Sequence, residues 1–221
     1  MKTDVTVILD KSGSMEVRRN DALHGFNALV EDQKRQPGDA ALSLVQFDTS
    51  YEPNYTEVAL KDVAPLTLET YQPNGGTALL DAIGKTINAI GQRLSARADG
   101  DRPGKVIVVI VTDGEENSSR EFTYAKVNEM IGHQRDVYRW EFIFVGTNQD
   151  AVAAASKVGI AADSALTYGV SGKATRAAYG VMSASLSARR AGQSGHITEN
   201  QREAAMAGED EHQWKKPGQK P

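Results

Sequence analysis

The sequence lacks cysteine and has no long apolar segment. The chain of 221 residues contains no cysteine and only four histidines. The absence of cysteine excludes disulfides, thiolate metal sites and cysteine nucleophiles. The longest apolar run, residues 106–111, is far shorter than the roughly 20 residues that a membrane-spanning helix needs. Thiol chemistry is therefore excluded, and we expect no membrane partner.

The N-terminus and the charge balance argue against a secreted protein and against a nucleic-acid-binding protein. Met1 to Asp4 run directly into a strand-like segment, without the apolar region of a signal peptide. The formal net charge is −4, and no Lys/Arg cluster is interleaved with aromatic residues, which argues against nucleic-acid binding. We therefore expect a cytoplasmic monomer without a nucleic-acid partner.

The remaining composition is that of an ordinary globular domain. Hydrophobic residues make up 40% of the chain and charged residues 24%, as in soluble folded proteins. From about Gly192 onward the sequence becomes polar and ends in Lys215-Lys216-Pro217. We expect one domain over residues 1–191 and a disordered tail over residues 192–221.

Segments typical of strands alternate with segments typical of helices. Largely apolar segments at residues 5–9, 42–47 and 105–112 are typical of buried strands, and residues 51–60 and 165–168 are predicted to be edge strands. Between them lie apolar stripes at helical spacing, of which Leu80, Ile83, Ile87, Ile90 and Leu94 form the clearest. This alternation predicts an α/β fold with a doubly wound sheet and helices on both faces.

Polar residues cluster where strands end or helices begin. Asp10-Lys11-Ser12-Gly13-Ser14 follows the first strand, Gly75-Gly76-Thr77 opens a helix, and Thr112-Asp113-Gly114 ends the central strand. Each segment alone has a structural explanation, because serine and threonine cap helices and Asp-Gly forms turns. Ligands of doubly wound sheets, however, bind at the carboxyl ends of strands, so the three segments together indicate a binding site.

The combined pattern resembles the metal-ion-dependent adhesion site of von Willebrand factor A domains. The resemblance covers residues 4–190 and implies a Rossmann-like fold with a mostly parallel central sheet and one antiparallel edge strand. In that family the two serines contact the cation directly, the threonine does so in the ligand-engaged state, and the aspartates commonly act through water. The resemblance assigns these metal-binding roles to Asp10, Ser12, Ser14, Thr77 and Asp113.

The residue types agree with a hard cation. Magnesium prefers an octahedral set of oxygen ligands and readily keeps some waters. We expect Mg²⁺, with Mn²⁺ or Ca²⁺ as alternatives. Because the direct ligands are mostly neutral hydroxyls, the cation stays electrophilic and can accept an Asp or Glu carboxylate from a partner protein. The predicted function is thus that of a divalent-metal-dependent protein-binding module, not an enzyme.

Residues around the predicted site are weaker candidates. We expect a rim that either selects the partner or is a solvated loop, formed by Lys11, Met15, Glu115, Glu116 and Asn117. Residues 147–150 follow another strand and are predicted to lie at the same face of the sheet, without a ligand role.

Two alternative functions remain open. One keeps the fold but makes the chain a subunit that works with an AAA+ ATPase of the MoxR or chelatase kind. The other is a magnesium-dependent phosphohydrolase, whose nucleophilic Asp10 would need a second acid two residues later. Ser12 occupies that position, which argues against the enzyme.

Two further interpretations are weaker still. A phosphate-binding loop at Gly84-Lys85-Thr86 lacks its leading glycine, because Leu79 stands there. A scaffold without a metal would have no reason to gather these hydroxyls and acids.

Overall fold

A single six-stranded sheet organises the computed structural model, which describes residues 2–147 and 151–207. The strand order is β3-β2-β1-β4-β5-β6, and only the β2–β3 pair is antiparallel. The strands are β1 (Thr3–Asp10), β2 (Ala40–Phe47), β3 (Tyr51–Ala59), β4 (Lys105–Thr112), β5 (Glu141–Thr147) and β6 (Ala165–Tyr168). The helices are α1 (Arg19–Arg35), α2 (Leu79–Ser95), α3 (Tyr124–Tyr138), α4 (Ala151–Lys157), α5 (Gly172–Arg190) and α6 (Glu199–Met206). The predicted fold class is confirmed.

The central strands are apolar throughout because both faces of the sheet are covered. Successive side chains of a strand point to opposite faces. Val7 and Leu9 of β1 therefore pack with α1, α5 and α6, whereas Ile8 packs with α2, α3 and α4. The helical stripe predicted between Leu80 and Leu94 is buried in the second of these layers.

The topology places a crevice at the carboxyl ends of β1 and β4. From β1 the chain passes through α1 to β2 on one side, whereas β4 leads through α3 to β5 on the other. Strands β1 and β4 are hydrogen-bonded neighbours, with Leu9 opposite Val111. Asp10 and Asp113, which follow these positions in the chain, are therefore brought to the same edge of the sheet.

The prediction of disorder from residue 192 onward is wrong for the described part of the tail. Thr198 and Gln201 form a capping box that begins α6. Ile197 and Ala205 are buried in the core layer of α1 and α5, and the Arg202 guanidinium donates to the carbonyl of Ala165. The folded unit thus includes α6. The rest of the predicted tail, residues 208–221, lies outside the described residues, as do residues 148–150.

The described helices also bear on membrane insertion. None of them is long and apolar enough to cross a membrane.

Candidate metal centre

Backbone hydrogen bonds join the serine-containing loop to the glycine-containing loop. The N–H of Gly13 donates to the carbonyl of Gly75 at 3.0 Å, and that of Asn74 donates to the carbonyl of Lys11 at 2.8 Å. Gly75 has a φ of +67°, in the left-handed region that glycine adopts without strain. The loop after β1 and the segment before α2 are therefore held against each other.

Asp10 is completely buried at the end of β1. Its Oδ1 accepts the backbone N–H of Ser12 at 2.6 Å, and its Oδ2 accepts the hydroxyl of Thr112 at 2.6 Å. Burial raises the pKa of Asp10 to about 6, although the hydrogen bonds from Thr112 and Ser12 oppose the rise. Both of these donors are neutral, so a cation would favour the charged form of this carboxyl.

Ser12 and Ser14 connect the loop after β1 to Asp113. The two hydroxyl oxygens lie 3.1 Å apart, and the hydroxyl of Ser14 donates to Asp113 Oδ1 at 2.6 Å. Ser12 and Asp113 are buried, whereas Ser14 is exposed. The serine pair therefore lies between the interior of the protein and solvent.

Thr77 is fixed by the loop that follows β4. Its N–H donates to Asn117 Oδ1 at 2.9 Å, and its carbonyl accepts the N–H of Asn117 at 3.1 Å. A Cβ built on Gly114 would lie 2.8 Å from Thr77 Oγ1 and 3.4 Å from Ser14 Oγ. The two hydroxyls therefore face the same glycine, which leaves them room.

The capping explanation fails for two of the hydroxyls. Ser12 occupies the N-cap position of a 3-10 helix at Gly13–Arg18, but its side chain makes no capping hydrogen bond. The N-cap of α2 is Ala78, so Thr77 does not cap that helix. The structure thus brings together all five predicted residues without using these two hydroxyls as caps.

An arginine that the sequence did not single out completes the cluster. Arg18 Nη1 donates to Asp113 Oδ2 at 2.6 Å, and both side chains are almost fully buried. No sequence motif marks this residue. Its spacing of three from Met15 in a 3-10 helix, which puts both on the inward face, is the one feature that could have indicated it.

Most of the predicted rim residues make contacts within the protein. Met15 is fully buried in the core, so the prediction that it belongs to the rim, as a partner contact or as part of a solvated loop, is wrong. Lys11 forms ion pairs with Asp48 and Glu52. Asn117 holds Thr77, as described above.

The two glutamates of the rim differ. Glu116 accepts the N–H of Leu80 at 2.9 Å and that of Ser119 at 2.7 Å, and so fastens the loop to the start of α2. Glu115 is exposed and keeps the predicted choice between partner contact and solvated loop.

The donor set fits a hard cation that also uses hydroxyl ligands. The described residues contain no group of three or more His, Asp or Glu side chains able to hold a metal. The cluster instead combines two carboxylates with three hydroxyls, all of them oxygen donors of the kind that Mg²⁺, Mn²⁺ and Ca²⁺ accept.

The chain belongs to the von Willebrand factor type A domain family, whose profile matches residues 4–174. No curated protein sequence matches the chain closely enough to count as a relative.

Solved structures share this fold at low sequence identity. A von Willebrand factor type A protein from Catenulispora acidiphila has a TM-score of 0.54 and 15% identity over 83% of this chain and 42% of that chain. Proximal thread matrix protein 1 from the mussel byssus has a TM-score of 0.53 and 14% identity over 82% of this chain and 45% of its own. A second structure of the mussel protein, with a zinc-occupied MIDAS motif, has a TM-score of 0.51 and 13% identity, covering 82% and 46% of the two chains. The present chain therefore spans less than half the length of these proteins, and the likeness shows the fold alone.

Proposed function

We propose that this domain is a divalent-metal-dependent protein-binding module. The observation that carries the proposal is the convergence of two buried carboxylates with hydroxyls that cap no helix. Ser14 contacts both Ser12 and Asp113, and Thr77 faces the same glycine as Ser14. A cation-binding role accounts for a cluster of this composition at the carboxyl edge of the sheet better than a purely structural role does.

The residues divide into two groups by charge. Ser12, Ser14 and Thr77 would supply neutral oxygens, while Asp10 and Asp113 would supply the negative charge that retains the cation. When bound, the cation offers a coordination position to a carboxylate from outside. The exposed side of Ser14 is where an Asp or Glu of a partner would reach it.

Mg²⁺ is the proposed cation, with Mn²⁺ or Ca²⁺ as alternatives. Zinc should be tested beside these cations, because the mussel protein holds zinc in its motif, although an all-oxygen donor set does not favour zinc.

We further propose that the protein is cytoplasmic.

The surroundings of Asp10 support binding rather than phosphohydrolase chemistry. Both of its oxygens accept hydrogen bonds at 2.6 Å, from Ser12 and Thr112, and its side chain is fully buried. A nucleophilic carboxylate needs an oxygen free to attack and an acid for proton transfer. We therefore propose a non-enzymatic role.

Calorimetric titration tests the cation site. The wild-type chain is expected to bind one Mg²⁺ or Mn²⁺, and Ser12→Ala is expected to weaken this binding roughly tenfold, because one oxygen donor is lost. Ser95→Ala is the matched control, since the Ser95 hydroxyl donates to the carbonyl of Gln92 near the end of α2. Undiminished binding by Ser12→Ala would argue against the site.

Partner binding is tested by affinity capture in Mg²⁺ and again in EDTA. The expected partner is recovered with the wild-type chain in Mg²⁺, and is lost both in EDTA and with Ser12→Ala. Recovery of an AAA+ ATPase would assign the module to a remodelling system. A partner retained equally under chelation would contradict cation-dependent binding.

A further inference from the structure

The Arg18 side chain approaches the candidate metal centre from the interior of the protein, on the buried side of the serine-containing loop. It ends the 3-10 helix at Gly13–Arg18, in which residues three apart share a face. Arg18 therefore lies on the inward face with Met15, and Arg18 is only 7% exposed. Its guanidinium is directed at Asp113 from the protein side, whereas Ser14 is exposed to solvent.

The two oxygens of Asp113 have different partners. Oδ1 accepts the Ser14 hydroxyl at 2.6 Å, and Oδ2 accepts Arg18 Nη1 at 2.6 Å. Because the Asp113 side chain is fully buried, rotating it would break both hydrogen bonds at once. Arg18 therefore fixes the orientation of this carboxylate and neutralises part of its charge.

Stability alone does not account for this ion pair. Within residues 2–147 and 151–207 the buried Nε of Arg18 has no hydrogen-bond partner, and leaving a buried polar group unsatisfied destabilises a protein. Buried ion pairs can often be replaced by apolar residues at no cost in stability. A role for this guanidinium in the candidate metal centre is consistent with these observations.

We propose that Arg18 is a positioning residue that sets how strongly the bound cation attracts an external carboxylate. This inference rests on the proposed function. Arg18 draws on the negative charge of Asp113, so Asp113 compensates the cation less completely. The protein then holds the cation more weakly, and the cation holds the partner's acidic group more tightly.

The substitution Arg18→Gln removes the positive charge but keeps a polar side chain. Glutamine ends two atoms short of the arginine Nη1 that donates to Asp113, so the hydrogen bond is lost together with the charge, and Arg18→Lys serves as the variant that keeps the charge. Removing one positive charge within a few ångströms of the site is expected to tighten Mn²⁺ binding about tenfold. The affinity of the loaded site for a carboxylate is expected to fall by a similar factor.

Two measurements on the full chain test the proposal. Electron paramagnetic resonance of free Mn²⁺ gives the cation affinity. Water-proton relaxation by bound Mn²⁺, titrated with acetate, gives the carboxylate affinity, since acetate displaces an exchanging water. Arg18→Lys, which keeps the charge, is expected to stay near wild type. Arg120→Met is the control, because it removes one positive charge from an exposed side chain that follows Asp113 in the sequence. It is expected to change neither the Mn²⁺ affinity nor the carboxylate affinity.

Opposite shifts in the two affinities support the proposal, because loss of a merely structural contact would weaken both. Parallel losses, or no change in either, would overturn it. Should Arg18→Gln fail to fold, the double variant with Asp113→Asn avoids an unpaired buried carboxylate. In a chain that already carries Asp113→Asn, adding Arg18→Gln is expected to change neither the Mn²⁺ affinity nor the carboxylate affinity. A change in either affinity would contradict the proposal that Arg18 acts through Asp113. A wild-type chain that binds no Mn²⁺ would instead refute the proposed function itself.

Discussion

Strand β1 carries a buried aspartate near each end, and the two carboxylates differ in the charge of their hydrogen-bond partners. Asp4, at the amino end, forms an ion pair with Arg93 at 2.7 Å. Asp10, at the carboxyl end, accepts its hydrogen bonds from neutral groups, and none of the described Lys or Arg side chains forms an ion pair with it. Their exposures are 1% and 0%, so burial does not explain the difference.

The comparison shows which charges the fold compensates internally. Burial raises the pKa of both carboxyls, but for Asp4 the Arg93 guanidinium opposes the rise. Asp113 is an intermediate case, because its carboxylate forms an ion pair with Arg18 and also accepts a hydrogen bond from the neutral hydroxyl of Ser14. The charge of Asp4 is therefore compensated by a side chain of the fold, whereas the charge of Asp10 would be compensated by a cation supplied by solvent.

The largest expected effect comes from Asp10→Asn. Removing the carboxylate charge beside the cation is expected to weaken Mn²⁺ binding by roughly 100-fold or more. The same variant, melted in EDTA, is expected to be as stable as wild type or more so, because it no longer buries an uncompensated charge. Titration calorimetry and thermal unfolding measure the two quantities. A large loss of stability in EDTA would mean that Asp10 serves the fold rather than a cation.

The matched substitution Asp4→Asn is expected to give the reverse result. Among the described residues it leaves Arg93 with Glu57 as its one ionic partner, and it is expected to lower the free energy of unfolding by about 2 kcal/mol. Its Mn²⁺ affinity is expected to equal that of wild type, since Asp4 lies at the other end of the strand. Denaturant unfolding provides the measurement. An altered cation affinity in this variant would remove the distinction between the two edges.

The smallest expected effect is a pH dependence of cation binding. With a folded-state pKa of about 6, above the ordinary value of 3.8, Asp10 binds its proton more tightly in the folded chain. Without a cation, this group therefore lowers stability as the pH rises from about 4 to about 6. Because the cation competes with that proton, Mn²⁺ binding is expected to be roughly fourfold weaker at pH 5.5 than at pH 7. Titrations at both values, repeated with Asp10→Asn, would show whether the dependence belongs to this residue.

Much of the fold and the candidate cluster could be predicted because the determining patterns are local. The continuous apolar run of β4 and the stripe of α2 follow from the periodicity of buried strands and helices. Since Asp10 ends one parallel strand and Asp113 follows another strand of the same sheet, their convergence follows from topology alone. The edge strand at Tyr51–Ala59 was predicted within one residue of its end.

The failures of prediction have both long-range and local causes. Arg18 and Asp113 are 95 positions apart in the sequence, and no local pattern around Arg18 indicates that Asp113 is its partner. Met15 was placed on the rim because it adjoins the serines, but the 3-10 helix turns it inward. Helix α6 is polar overall and packs chiefly through Ala205, although the Thr198–Gln201 capping box was a local pattern that could have indicated it.

A crystal structure of the chain grown with Mn²⁺, analysed by anomalous scattering, tests the central claim most directly. The account predicts one anomalous peak among the hydroxyls of Ser12, Ser14 and Thr77, with Asp10 and Asp113 beside it. An empty cluster in crystals that hold Mn²⁺ elsewhere, or hydroxyls turned away from a common point, would contradict it.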